Sequence, residues 1–197
     1  GLSVLGMGLS VGILMIGGFQ QDAIDHMTDT LFGQAQREDT TVAFYEPTSR
    51  EALYSLRQLP GVRLAEPFRQ VPVRLRHEHR ERRTGILGLP RDAHLHRILD
   101  EQGRPIRLPE RGLVVSDYLA EELGVSAGEH LTVEVLEGKR QTRSVPVAAV
   151  TADLIGVSGY MALPALNRFL DEGRAISGAH LLTDPARREA LYPELER

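Results

Sequence analysis

The 197-residue chain contains no cysteine, which excludes thiol nucleophiles, zinc-thiolate centres and disulfides together and leaves the redox compartment open. Lysine is almost as scarce. Of 23 basic residues only Lys139 is a lysine, a bias of the kind a GC-rich bacterial genome produces. It stands between Gly138 and Arg140, so no phosphate-binding loop ending in Gly-Lys-Ser/Thr can exist, and the chain cannot be a P-loop ATPase by itself. An excess of positive charge is missing too. The net charge is −4, which gives no general electrostatic footprint for nucleic acid, and none is expected as a partner.

Charge is also missing from the start of the chain, where the first ionisable side chain is Asp22. Leu2 to Phe19 carry nothing more polar than serine and glycine, and as a helix they would extend roughly 27 Å at 1.5 Å per residue. A bilayer core is about 30 Å thick. The first basic residue is Arg37, so the positive n-region of a signal peptide is absent. Glycine is costly in a soluble helix but helps membrane helices approach, and Gly8 and Gly12 have the GxxxG spacing. The segment therefore reads as a transmembrane helix surrounded by lipid. Asp22, Asp25 and Asp29 follow it before any arginine, which puts the remainder on the extracytoplasmic side. Ala23, Ile24, Met27, Leu31 and Phe32 continue a three-to-four spacing between polar residues, as a stalk would, with Gly33 as its stop.

Beyond Gly33 the composition is ordinary for a globular chain and sufficient for one or two domains. TTVAFY (40–45) reads as a strand, Thr48 and Glu51 have capping-box spacing, and Leu53, Leu56 and Leu59 mark a helix face ended by Pro60-Gly61. Val71, Val73 and Leu75 alternate with polar residues, and TGILGL (84–89) returns as the second strand of a hairpin. A short helix is expected over 91–99 and a loop over 101–112. LVVS (113–116) is a strand and DYLAEEL (117–123) a helix stopped by Gly124. LTVEVLEGKRQTRSVPVAAVTA is a hairpin turning at Glu137-Gly138, and IGVSGYMAL is a glycine-containing loop. LPALNRFLDEG is a helix, ISGAHLLTD a strand, and Pro185 to Leu195 a terminal helix capped by Asp184. The mixed order indicates an α+β fold.

Three patterns could carry chemistry. Gly124-Val125-Ser126-Ala127-Gly128 matches GxSxG, but a nucleophile elbow needs a strand before the serine and a helix after it. Here the order is reversed, and a helix cap running into a turn is expected. His77 with His79, and His94 with His96, could offer four imidazoles to a metal. Five arginines in RLRHEHRERR oppose a divalent cation, so this stretch reads as a solvated hairpin tip. Glu121-Glu122 reads as helix solvation. No catalytic, cofactor-binding or metal residue is assigned.

Taken in order, the apolar helix running into FQQDAIDHMTDTLFGQ, then LPGVRLAEPFRQVPV, GILGLP, RGLVVSDYLAEELGVSAGEHLTVEV and YMALPALNRFLDEGRAISGAHLLTD resemble the extracytoplasmic domain of FtsX-like ABC transporter permeases, the MacB-type periplasmic core domain. The resemblance spans nearly the whole chain. It implies a transmembrane and stalk helix (1–33), a ferredoxin-like porter subdomain (34–103 and 160–197) and an inserted small β-rich subdomain (104–159). It also implies a non-enzymatic role in the inner membrane of a bacterium, with the domain facing outward and no cofactor. The partners it implies are a separate ABC ATPase subunit and a second permease copy. An extracytoplasmic protein such as a cell-wall hydrolase, docked on the arginine-rich hairpin, is the alternative reading.

Overall fold

Val71, Val73 and Leu75 turn out to lie in the middle of the longest element, a 16-residue strand that takes part in two structures at once. The computed structural model describes residues 35–100, 102–152 and 158–187; the expected transmembrane and stalk helix lies outside them. No helix among the described residues is long and apolar enough to cross a membrane.

The strands are β1 (Thr40–Ser49), β2 (Val62–His77), β3 (Arg80–Leu89), β4 (Leu113–Ser116), β5 (His130–Val135), β6 (Thr142–Thr151), β7 (Ser158–Ala162) and β8 (Ala175–Thr183), with helices α1 (Ala52–Gln58), α2 (Asp117–Leu123) and α3 (Leu163–Leu170). Their order is β1-β8-β2-β3-β7-β4-β6-β5, and β5 also pairs back onto β2. Strand β2 explains how both can hold. Its first half, Val62–Phe68, pairs with β8. Its second half, Arg69–His77, pairs with β3 on one edge, and Val73–Arg76 pair with β5 on the other. Strands β2, β3, β7, β4, β6 and β5 therefore close into a ring, which removes exposed edges.

Burial along β2 follows from this. From Ala65 to Arg69 the strand is buried without interruption, whereas from Gln70 to Arg76 exposed or half-buried residues alternate with buried ones. Alternation is the signature of a strand with one face on a core. Val71, Val73, Leu75, Ile86, Val115, Leu131, Val133 and Val147 belong to the larger core. A smaller core of Leu53, Leu56, Ala65, Leu163, Ile176, Ala179 and Leu181 lies at the β1-β8-β2 end. At the outer edge, β1 changes register against β8 between Ala43 and Thr48, and Pro47, which has no N–H to give, lies in that irregular stretch.

The fold is α+β, and helix 117–123 and most strand positions agree with the sequence pattern. Four expectations need correction. Residues 91–99 are not helical: they are fixed by isolated bridges at His96 and Leu99 and by tertiary bonds to their N–H groups. Part of IGVSGYMAL is strand β7, whose residues pair with β3 and β4. The Thr48/Glu51 box does not form; Glu51 occupies the N-cap without a side-chain bond, and its own N–H reaches Ser49 Oγ at 3.3 Å. The ferredoxin-like order, which would put β1 inside the sheet, is not reproduced, because β1 is the outermost strand and β8 lies between β1 and β2. Of the terminal helix, only a 3-10 turn over Pro185–Arg187 falls within the described residues.

Candidate functional site

The segment that leads into the domain, residues 35–39, is joined to two separate elements before β1 begins. Its backbone meets the 94–98 loop: Arg37 N–H donates to Leu95 O and Arg97 N–H to Ala35 O, both at 2.8 Å, around a Gln36–His96 bridge. Asp39 N–H then donates to Leu181 O of β8 at 2.9 Å, and the Asp39 carboxylate accepts from Thr183 N–H at 2.9 Å. The loop is held in turn by a buried acid. Glu66, on β2, accepts from the N–H groups of His94 and Leu95 at 3.0 Å, which supplies these backbone donors with the partners a helix would otherwise have given them.

Side chains from all three pieces converge at this joint. Glu38 Oε1 lies 2.8 Å from His96 Nδ1 and 3.6 Å from His180 Nδ1. His180 Nδ1 is also 3.1 Å from Thr41 Oγ1. The rings stack in a row, Phe68 on His180 at 4.6 Å between centroids and His180 on His96 at 4.9 Å. Glu38 Oε2 and His180 Nε2 are buried and have no hydrogen-bond partner. Burial pushes the Glu38 carboxyl up, but the His96 hydrogen bond, its own backbone N–H and the two imidazoles outweigh that and hold it below its ordinary value. Burial, followed by the neighbouring His96 charge, pushes His180 down to about 4 despite Glu38. At neutral pH the cluster thus holds an ionised carboxylate beside a neutral His180.

Of the histidines singled out in the sequence, only His96 belongs to this cluster. His77 Nδ1 lies 3.3 Å from Leu123 O, His79 is exposed at the hairpin tip, and His94 contributes its backbone N–H. The arginines of the tip are largely engaged inside the domain. Arg80 Nη1 donates to Glu121 O at 3.2 Å at the end of α2, Arg82 pairs with Glu122 at 2.8 Å, and Arg76 pairs with Glu134 at 3.0 Å. Gly124 ends α2 in the left-handed region, and strand β5 follows, so Ser126 lies in a turn. Glu38 and His180 carried no spacing signal; a single histidine in an apolar strand is ordinarily a core residue.

No family model matches the sequence, and no curated protein matches it. In structure the chain is similar to the extracellular domain of the noncanonic ABC-type transporter YknZ from Gram-positive bacteria, with a TM-score of 0.50 and 16% identity, covering 74% of this chain and 78% of that one. It is also similar to the periplasmic region of MacB from Actinobacillus actinomycetemcomitans, with a TM-score of 0.49 and 12% identity, covering 77% and 72%. The fold is the one the chain shares with the YknZ extracellular domain.

Proposed function

We propose that the chain is the extracytoplasmic domain of a bacterial ABC transporter permease, and that it acts without catalysis by passing motion from the membrane to a substrate outside. The observation that carries this reading is the fold shared with the YknZ extracellular domain over about three quarters of both chains. The joint supports it. A displacement of residues before 35 would load the 94–98 loop and β8 together, through several backbone bonds and the Glu38 and Asp39 contacts. Bonds that share a load yield less readily than one bond taken alone.

The energy must come from elsewhere, since no phosphate-binding loop can be written in this sequence. A separate ATPase subunit, a second permease copy and the lipid around residues 2–19 are the partners of this reading. The substrate class is lipid, lipoprotein, peptide or drug. The regulatory alternative would use Arg80, Arg82 and Arg83 as a docking surface, but Arg80 and Arg82 already hold α2.

Isolation of the full-length gene product from its own cells tests the proposal. It is expected in the membrane fraction, together with a P-loop subunit whose ATPase activity changes when the permease is removed. A product recovered outside the membrane with no such subunit would overturn it.

A further inference from the structure

We infer that Glu38, His96 and His180 form a binding site for one divalent transition-metal ion of the zinc class, bridging the entry segment, the 94–98 loop and β8. The argument stands on donor type, convergence and unused valence. Two imidazoles and one carboxylate are the ligand set that zinc takes from nitrogen and oxygen donors, with a fourth position left to water. One donor atom from each residue lies within 4.8 Å of the others. A tetrahedral ion about 2 Å from each would draw them somewhat closer.

The cluster also has donor capacity that the protein itself does not use. His180 is 7% exposed and its Nε2 has no partner, and Glu38 Oε2 is buried without one. Such buried atoms are ordinarily destabilising when left unsatisfied. A cation bound by the carboxylate would reduce that cost. The contrast with the 74–83 hairpin is electrostatic: there the histidines stand among five arginines, whereas here a carboxylate oxygen lies beside the Nδ1 of each ring.

Geometry says which ligand has to move. The two imidazoles stack at 16°, so each presents a face to the other, while a metal needs the in-plane lone pair. His180 is held by Phe68 and Thr41. His96 is on a loop with its side chain 17% exposed, and rotation of its ring would turn a nitrogen toward the ion. The inference does not depend on the transport reading, because three elements of one chain supply all the ligands.

Calorimetric titration of zinc chloride into the untagged 197-residue chain, in detergent at neutral pH after chelator treatment, tests it. One ion per chain is expected. His96→Gln and Glu38→Gln should each weaken binding by at least about tenfold, and His79→Gln should leave it unchanged. Circular dichroism of the metal-free variants reports whether each is folded, and His96→Gln, at a half-buried loop position, keeps the test decisive if Glu38→Gln is not. Absence of saturable binding, binding that survives in folded His96→Gln, or binding lost in His79→Gln would overturn the assignment.

Discussion

Arg69 shows how much one side chain can connect. It is 1% exposed, yet its guanidinium forks onto Glu172 through Nε and Nη2 at 2.9 Å each, reaches Glu137 at 2.6 Å, and donates from Nη1 to Gln70 O and Ser177 Oγ. Burial by itself would lower its pKa, but the hydrogen bonds and charges of Glu172 and Glu137 outweigh that and raise it. It thereby ties β2 to the loop after α3 and to the β5–β6 turn. Arg69→Met is expected to cost about 3 kcal/mol, the lower end for breaking a buried pair, because both carboxylates still reach water. Urea unfolding should show a lower midpoint at an unchanged slope. Arg69→Lys should not restore it, since one ammonium cannot replace a two-sided planar fork.

At the scale of elements, β8 leaves no room for a side chain at Gly178. It runs between β1 and β2, and Gly178 pairs with Ala43 on one side and Phe68 on the other. A Cβ there would collide with the Val42 carbonyl oxygen and lie 2.7 Å from Phe68 Cζ. Backbone cannot withdraw as a flexible side chain can. Gly178→Ala is therefore expected to destabilise by about 3 kcal/mol, the cost of overpacking, read as a fall in the thermal midpoint. It should also disturb the Phe68–His180–His96 stack, visible as shifted imidazole resonances. The helix α2 is held by ordinary means: Ser116 Oγ accepts from Leu119 N–H at 3.3 Å at its start, and Gly124 closes its end with φ of 64°. These signals are local, and all of them can be read along the chain.

For the whole molecule, the closed ring predicts where exchange is slowest. Residues Val73 to Arg76 are paired on both edges, to β3 and to β5, and opening them requires breaking the ring. β1, by contrast, is paired only to β8, and its register is interrupted. Hydrogen exchange followed by mass spectrometry should show amides 73–76 among the most protected and those of 44–46 among the least. Equal protection of the two segments would contradict the ring as a cooperative unit.

The sequence by itself determined the elements whose cause is local. Alternation placed the second half of β2, TGILGL marked its returning partner in β3, Gly124 placed the end of α2, and the lack of a Gly-Lys-Ser/Thr run excluded a P-loop within these residues. The order of motifs was enough to indicate a permease-type outer domain, whose fold the structure shares. Tertiary structure decided the rest. Residues 91–99 have a composition compatible with a helix, but Glu66, 28 positions before His94, bonds their N–H groups instead. The ring depends on β2 meeting β5 some 60 residues later, and the cluster at the joint draws Glu38, His96 and His180 from three distant stretches. No local preference encodes such meetings, because they arise only when separate apolar faces are buried together and the polar groups carried with them must find partners.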